Sequence, residues 1–270
     1  YYAFNVLDAD AGIMITGSHN PSDYNGFKLL NRNGNFYGAE ILKLAERAKL
    51  SKWKEYPGTK RFYSIEDSYI RNLVNSLDMK NENISVGWDV GNGSTGNIIK
   101  KLIKYLPGKH LLINEDIDGT FPAHHPDPTV KKNLIQLIKL VKNKKLDFGI
   151  SFDGDGDRLG VIDSKGEMIF GDKLIYIYAY DLLKRYPGAT IIADVKASSI
   201  LFNELEKLGG KAVMWKTGHS LIKSKMKETK ALLAGEMSGH IFFADKYYGF
   251  DDAIYAAIRL LNIVSSGNSI

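Results

Sequence analysis

The sequence contains no cysteine among its 270 residues. That absence excludes a disulfide-stapled scaffold, a thiolate metal site and a cysteine nucleophile. A chain without cysteine is compatible with a reducing compartment, and we expect a cytoplasmic protein.

Long hydrophobic runs are also missing. No segment approaches the ~20 consecutive apolar residues that a membrane-spanning helix needs, so we predict no membrane partner. Hydrophobic residues make up 44% of the chain and charged residues 25%, which excludes a disordered tail, a collagen-like fibre and a coiled coil. The 36 basic and 31 acidic residues leave a net charge of +5, which suits a lysine-rich surface or a substrate that carries phosphate.

The densest basic run lies in and just after a predicted helix at residues 129–142. Apolar residues recur there at helical spacing, namely Leu134, Leu137, Ile138 and Val141. Four lysines lie around the opposite face and the end of this helix, namely Lys139, Lys142, Lys144 and Lys145. Because no aromatic side chains interleave with these lysines, bases would have no stacking platform, and we predict no nucleic-acid partner.

Short β-branched runs alternate with amphipathic stretches along the whole chain. This alternation predicts an α/β fold of tandem αβ domains with mixed sheets. We place the domain boundaries at 1–58, 59–165 and 166–270, with a Pro-Gly linker at 56–59. The first residues include neither an initiating methionine nor a basic signal region, so we interpret the chain as part of a longer protein whose first domain begins upstream.

Three times, an apolar run enters a polar loop that contains glycine, and a second apolar run leaves it. The loops read TGSHNPSDYNG from Thr16, DGDGDR from Asp153 and GEMSGH from Gly235. An ordinary hairpin turn would use Asn-Gly in such a place, without His, Glu and several charges. Because ligands of α/β folds bind at strand ends, we predict that the three loops line one shared cleft.

The DGDGDR loop concentrates three carboxylates. Asp153, Asp155 and Asp157 alternate along the chain, so their side chains point the same way in an extended loop. They would repel one another unless a hard divalent cation such as Mg²⁺ or Mn²⁺ lay between them. An EF-hand is excluded because Arg158 and Ser164 stand where that loop needs Gly and Glu. A solvated acidic turn and a phosphatase with an aspartate nucleophile stay open as alternatives, although Asp157 weakens the second.

The loop that begins at Thr16 places a hydroxyl beside a histidine. Ser18 follows a glycine after a predicted strand and precedes His19. The G-x-S-x-G elbow of hydrolases is missing, because Asn20 replaces its second glycine. The Ser18 hydroxyl could instead carry a phosphoryl group, whose charge a metal at the aspartate loop would neutralise.

The third loop supplies groups suited to a sugar. Glu236 and Ser238 lie two residues apart, and a carboxylate with a hydroxyl can bind vicinal sugar hydroxyls. His240 offers an acid or a base near neutral pH.

Taken together, the three loops resemble those of the α-D-phosphohexomutase superfamily, and most closely its bacterial phosphomannomutase/phosphoglucomutase branch. TGSHNP resembles the phosphoserine loop of that family, DGDGDR its metal loop and GEMSGH its sugar-specificity loop. The similarity continues in DVKASS at 194–199, WKTGHSLIKSKM at 215–226 and GFDDAIYAAIRLL at 249–261. It covers nearly the whole chain and implies phosphohexomutase-type αβ domains whose active-site loops converge.

The resemblance implies an enzyme that interconverts hexose 6-phosphate and hexose 1-phosphate, of mannose or glucose. Phosphorylated Ser18 and hexose 1,6-bisphosphate would be its intermediates, and one Mg²⁺ would be bound by Ser18, Asp153, Asp155 and Asp157. The implied catalytic residues are Ser18, the supporting His19 and Asn20, Arg158, and the acid–base candidates Lys28 and His240. The implied substrate ligands are Lys196 and His219 for the sugar phosphate, and Glu236 and Ser238 for sugar hydroxyls.

The sequence departs from the full family pattern at both ends. By this resemblance, we expect the start of the first domain and the fourth domain, with its phosphate-binding loop, to lie outside this chain. We therefore expect the chain alone to be a poor or inactive mutase, or a weak metal-dependent sugar-phosphate binding fragment. The alternative within the family is phosphoglucosamine mutase, which usually has Ala and Gln where this chain has Gly17 and Met237.

Overall fold

The chain folds into three αβ units, each with its own sheet. The computed structural model describes residues 1–32, 34–50 and 57–267. The predicted α/β fold with mixed sheets is confirmed. Position 56 of the predicted linker and the last three residues of the predicted third domain lie outside the described residues, and the domain boundaries stay predictions.

The first unit is a small antiparallel sheet with the strand order β1-β2-β3. Its elements are α1 (Tyr2–Val6), β1 (Ala11–Ile15), β2 (Phe27–Asn31), β3 (Gly34–Phe36) and α2 (Ala39–Lys49). In the register of the first two strands, Met14 lies opposite Lys28 and Ile15 opposite Phe27. The polar loop that begins at Thr16 therefore closes a hairpin, and Lys28 follows it on β2.

The second unit carries a five-stranded sheet with the order β5-β4-β6-β7-β8. Its elements are α3 (Glu66–Asn75), β4 (Ser85–Asp89), α4 (Gly96–Leu102), β5 (Lys109–Ile113), a 3₁₀ helix (Lys131–Leu134), α5 (Ile135–Lys144), β6 (Phe148–Phe152), β7 (Leu159–Asp163) and β8 (Met168–Ile169). β4 runs parallel to both β5 and β6, whereas β6, β7 and β8 pair antiparallel. The aspartate loop connects β6 to β7.

The third unit has a four-stranded sheet with the order β10-β9-β11-β12. Its elements are α6 (Gly171–Arg185), β9 (Thr190–Asp194), α7 (Ser199–Lys207), β10 (Lys211–Trp215), α8 (His219–Thr229), β11 (Leu233–Gly235), β12 (Ile241–Phe243) and α9 (Ala253–Ser265). β9 runs parallel to β10 and β11, and β12 pairs antiparallel with β11. The GEMSGH loop connects β11 to β12.

One continuous core joins the second and third units. Helix α9 is mostly apolar and buried along nearly its whole length, as expected of a helix inside a core, and its buried Arg259 is paired with Asp245. It packs against α3 of the second unit and α6 of the third. Asp252 caps its first turn and also accepts hydrogen bonds from the hydroxyls of Tyr69, at 2.8 Å, and Tyr247, at 2.7 Å. The packing of α9 against both units fixes them, and hence their loops, relative to each other.

The helix predicted at 129–142 is wrong at both ends. Val130 is extended, the next four residues form the 3₁₀ helix, and α5 begins only at Ile135 and continues to Lys144. The Asp127 side chain accepts hydrogen bonds from the backbone N–H and the hydroxyl of Thr129, which favours a local turn over an early helix. Across the described residues, no helix is both long and apolar enough to cross a bilayer.

Candidate active site

The three polar loops meet in space. The Ser18 hydroxyl donates to Asp153 Oδ2 at 2.9 Å, across 135 positions of sequence. The Arg158 Nε–H donates to His240 Nε2 at 3.1 Å, and the Leu159 backbone N–H donates to the Gly239 carbonyl at 3.0 Å. Each loop connects two antiparallel strands, and the aspartate loop contacts both of the others.

Ser18 is held in an unusual backbone conformation. Its φ of 52° lies in the left-handed region, which non-glycine residues seldom adopt and which recurs at functional sites. Its backbone N–H donates to the Thr16 hydroxyl at 2.8 Å, and that hydroxyl donates to Asp155 Oδ2 at 2.8 Å. Its own hydroxyl also lies 3.1 Å from His19 Nδ1. Thr16, which the sequence analysis missed, therefore ties the Ser18 loop to the aspartate loop.

Asp153 organises the aspartate loop from within. Its Oδ1 accepts the backbone N–H groups of Gly156, Asp157 and Arg158 at 3.0–3.1 Å, while its Oδ2 faces Ser18. The side chain is fully buried. Burial raises the pKa of Asp153 well above its usual range, and the carboxylates of Asp157 and Asp155 raise it further.

Lys28 compensates much of the negative charge. Its ammonium on β2 donates to Asp155 Oδ2 at 2.7 Å and to Asp157. Burial opposes its charge, but the carboxylates of Asp157 and Asp155 outweigh burial and raise the pKa of Lys28. The pKa of Asp155 is lowered, because Lys28 outweighs the effect of burial there. Lys28 thus stays protonated beside the three aspartates that the sequence analysis predicted to bind a metal.

The aspartate loop fits a hard divalent cation. Asp153, Asp155 and Asp157 can each offer a carboxylate oxygen within 4.8 Å of the other two. Asp155 Oδ1 and Asp157 Oδ1 are buried and lack a hydrogen-bond partner in the described part of the chain. The Ser18 oxygen adjoins Asp153, so the complete donor set is oxygen, as Mg²⁺ prefers. We therefore regard these residues as a candidate metal site.

A second charged cluster lies beside the first. Asp251, fully buried, accepts from Lys223 Nζ at 2.7 Å and lies 3.1 Å from His240 Nδ1 and 3.5 Å from His219 Nδ1. The rings of His219 and His240 are stacked, with centroids 5.6 Å apart. Burial lowers the pKa of His240, but the carboxylates of Asp157 and Asp251 outweigh it and raise the pKa. Sequence reasoning quoted the segments that contain Asp251 and Lys223 without assigning either a role.

The sugar-type loop carries a buried carboxylate with one free oxygen. Glu236 Oε1 accepts the backbone N–H of Gly218 at 2.5 Å, whereas its Oε2 is buried without a partner among the residues described. Asp194 supports this loop by accepting from the Thr217 hydroxyl at 3.0 Å and the Met237 backbone N–H at 3.3 Å. Glu236 Oε2 is therefore available to a ligand hydroxyl.

The remaining candidates lie at the margin of this arrangement. Ser238 is half-buried on the same loop as Glu236. Asn20 is exposed and contributes its backbone N–H to a turn that closes on Gly17. Lys196 is exposed on the turn after β9, and no hydrogen bond or ion pair among the described residues joins it to the cluster. His19 does belong to the centre, since its Nε2 lies 3.4 Å from an Arg158 nitrogen.

We expect the free energy of unfolding to fall as the pH drops from 6.5 towards 4, because of His219. Burial, with help from the Lys223 ammonium, lowers the pKa of His219 from 6.5 to about 4. The unfolded chain therefore binds a proton before the folded chain does, and stability present above pH 6.5 is lost through that window. Because the ring is 30% exposed, we expect a contribution on the order of 2 kcal/mol. Urea denaturation across this window should show a flatter profile for His219→Gln, and equal slopes would contradict the assignment.

Comparison with known proteins gives a consistent result along the chain. Models of the phosphoglucomutase/phosphomannomutase family match three times: alpha/beta/alpha domain I at residues 1–53, domain II at 67–166 and domain III at 170–270. The phosphomannomutase/phosphoglucomutase of Pseudomonas syringae pv. tomato is 46% identical over 265 residues, which cover 98% of this chain and 57% of that protein. The phosphoglucomutase of Neisseria meningitidis serogroup A is 44% identical over 272 residues, which cover all of this chain and 59% of that protein.

A solved structure gives the same picture. The crystal structure of a phosphoglucomutase/phosphomannomutase family protein from Burkholderia thailandensis superposes with a TM-score of 0.92 at 43% sequence identity. The match covers 96% of this chain and 56% of that one. The chain thus spans less than three fifths of the length of these relatives.

Proposed function

Since this chain belongs to the α-D-phosphohexomutase superfamily, within its phosphoglucomutase/phosphomannomutase family, we propose that its three loops form the site of a phosphohexomutase. The site would interconvert hexose 6-phosphate and hexose 1-phosphate, of mannose or glucose, through a phosphorylated Ser18. The observation that carries this proposal is the 2.9 Å hydrogen bond from the Ser18 hydroxyl to Asp153. It places the only serine of the TGSHNP motif against the acidic loop that its phosphate would need.

Two phosphoryl transfers complete the reaction. The free hydroxyl of a hexose monophosphate attacks the phosphorus on Ser18, so a P–O bond to the sugar forms as the bond to Ser18 Oγ breaks. The resulting hexose 1,6-bisphosphate turns over in the cleft and returns its other phosphoryl group to Ser18. Lys28, which is protonated, suits the acid that supplies a proton to the departing Ser18 oxygen. His240 is the candidate base for the sugar hydroxyl, and it would act through Nε2, the nitrogen that accepts from Arg158 in the absence of substrate.

Charge stabilisation comes from several groups that are already in place. Mg²⁺, held by Ser18 and the three aspartates of the DGDGDR loop, would supply Lewis-acid charge at the phosphoryl oxygens. Arg158 lies between His19 and His240 and can donate hydrogen bonds to the transferred group. Because these donors are fixed before substrate arrives, little reorganisation is needed during transfer.

The sugar is recognised by the third unit. The free Oε2 of Glu236 would accept a hydrogen bond from a sugar hydroxyl, and Ser238 on the same loop would bind a neighbouring one. His219 would contact the sugar phosphate as a neutral hydrogen-bond donor, because its pKa is lowered to about 4. Lys196, exposed on the turn after β9, would contribute positive charge to that phosphate. Gly17 and Met237 favour a simple hexose phosphate over a glucosamine phosphate.

Intact-mass spectrometry tests the proposal directly. After incubation with Mg²⁺ and glucose 1,6-bisphosphate, we expect the chain to gain one phosphoryl group that survives hydroxylamine, whereas Ser18→Ala gains none. An acyl phosphate on Asp153, as an aspartate phosphatase would form, is cleaved by hydroxylamine. Labelling that hydroxylamine removes, or that persists in Ser18→Ala, would overturn the proposal.

A further inference from the structure

Asp251 is a buried acid that the proposed reaction does not use. It lies outside the three loops, immediately before the residue that caps α9, and its side chain is 0% exposed. Its closest cation is the ammonium of Lys223, at 2.7 Å, which is itself only 9% exposed. Its other oxygen faces His240 Nδ1 at 3.1 Å. Burying two ions costs free energy, so packing alone does not account for a buried Asp251–Lys223 pair beside His240.

The hydrogen bond from Arg158 determines where the proton of His240 lies. A guanidinium can only donate, so the 3.1 Å contact from Arg158 Nε requires a lone pair on His240 Nε2. The imidazole proton must then be on Nδ1. That nitrogen lies 3.1 Å from Asp251 Oδ2 and 3.6 Å from Asp157 Oδ1, although neither contact has the alignment of a hydrogen bond. Among the described residues, His240 Nδ1 and Asp251 Oδ2 have no other hydrogen-bond partner, so distance and charge point to a proton on Nδ1 that faces Asp251.

Of these two carboxylates, Asp251 is the one placed to hold the proton. It is the nearer, and Lys223 anchors its other oxygen. Asp157 is instead occupied by Lys28 and belongs to the candidate metal site. A cation bound among Asp157, His240 and Asp251 would need the lone pair of Nδ1, which the Arg158 contact leaves protonated.

We propose that Asp251 is a positioning residue that acts through His240 on Arg158. By keeping the His240 proton on Nδ1, Asp251 keeps Nε2 unprotonated and able to accept from Arg158 Nε. The same guanidinium reaches His19, the neighbour of Ser18, through a nitrogen 3.4 Å from His19 Nε2. The guanidinium of Arg158 is thereby oriented towards the Ser18 loop before a phosphoryl group is present. The catalytic consequence rests on the proposed function, whereas the tautomer itself does not.

Nitrogen-15 NMR of histidine-labelled protein tests the tautomer at mildly alkaline pH without substrate. The His240 signals are assigned from their loss in His240→Gln. In the wild-type chain we expect a pyrrole-type nitrogen at Nδ1 and a pyridine-type nitrogen at Nε2. The reverse pattern in the wild-type chain overturns the proposal, and this reading does not require Asp251→Asn to fold.

A matched pair of variants then tests the role of Asp251. In Asp251→Asn, Lys223 donates to the amide oxygen, and the amide N–H₂ faces His240 Nδ1. We therefore expect His240 no longer to favour the Nδ1–H tautomer over the Nε2–H tautomer. Asp252→Asn makes the same change one residue later, where the contacts are Tyr69 and Tyr247, and should leave the His240 signals unchanged. Unchanged signals in a folded Asp251→Asn, or equal changes in both variants, would overturn the proposal.

The rate of Ser18 phosphorylation supplies the functional measurement. We expect Asp251→Asn to slow phosphoryl transfer from glucose 1,6-bisphosphate by about 10- to 100-fold. The concentration of glucose 1,6-bisphosphate that gives the half-maximal rate should change little. Asp252→Asn should stay within about twofold of wild type. If no variant and no wild-type chain is phosphorylated while the tautomer is as expected, the proposed function fails and the tautomer assignment stands. A normal rate in Asp251→Asn with a lost tautomer would overturn the link from His240 to Arg158.

Discussion

A single methyl group added at position 154 is expected to slow phosphorylation of Ser18 by about 100-fold or more. A Cβ built on Gly154 would lie 2.1 Å from the backbone oxygen of Ser18 and 3.3 Å from the ring of Phe121. A backbone oxygen cannot rotate away as a flexible side chain can, so the Ser18 loop and the aspartate loop must separate. Displacements of about 1 Å from a productive geometry cost this much in phosphoryl transfer, because the step depends on positioning.

The Gly154→Ala effect should be local. Gly154 does not have a positive φ, so alanine brings no backbone strain of its own at that position. Because separation also breaks the hydrogen bonds between the two loops, we expect a modestly lower melting temperature together with a slow rate of mass gain on Ser18. Gly119→Ala is the matched control, because a Cβ at Gly119 meets nothing within 4 Å. Equal phosphorylation rates in both variants would contradict the view that the two loops must touch.

The composition of the three loops was sufficient to predict that they meet. Ser18, Asp153 and His240 were chosen from sequence because their residue types are chemically complementary, and the structure brings them into one cluster. The strand alternation predicted the α/β units for a similar reason, since buried β-branched runs such as Ile191–Ile192 lie between amphipathic helices. Their catalytic roles stay predictions.

Residues that act through a second residue could not be found in the same way. Thr16 matters because its hydroxyl lies between the Ser18 backbone and Asp155, and nothing about an isolated threonine indicates such a bridge. Asp251 is one of two adjacent acids, and sequence alone does not tell which one faces a histidine and which caps a helix. That distinction arises from where α9 starts, which is a property of the packed core.

Local competition explains the errors in the elements. The helix predicted from residue 129 begins only at Ile135, because the Asp127 side chain binds Thr129 and stabilises a turn. The spacing of apolar residues does not reveal such a contact. The strands β8 and β12, of two and three residues, carry too little pattern to be predicted on their own. β8 pairs with the longer antiparallel strand β7, whereas β12 pairs with β11, which is equally short.

Replacing Asp153 with asparagine is expected to weaken Mg²⁺ binding by at least about tenfold while leaving the fold intact. The introduced amide keeps an oxygen for the backbone N–H groups of Gly156, Asp157 and Arg158, so the loop retains its shape. It also resembles the protonated form of Asp153, which burial already favours by raising its pKa. Without metal, the melting temperature should therefore change little. With metal, one anionic ligand is lost, and phosphorylation of Ser18 should fall with it.

Asp153→Ala separates the two roles of this side chain. Removing both oxygens leaves the N–H groups of Asp157 and Arg158 without their acceptor, at about 1–3 kcal/mol for each one that stays unpaired, whereas the Gly156 N–H keeps the Asp153 carbonyl at 3.3 Å. We therefore expect a clearly lower melting temperature in addition to the loss of Mg²⁺ binding measured by calorimetric titration. Asp163→Asn is the control at the other end of β7, where Asp163 accepts two backbone N–H groups of a turn at 2.8 and 2.9 Å. If Asp153→Asn bound Mg²⁺ as tightly as Asp163→Asn does, the acidic loop would not be the metal site, and the charge beside Ser18 would have to be balanced by Lys28 and Arg158 alone.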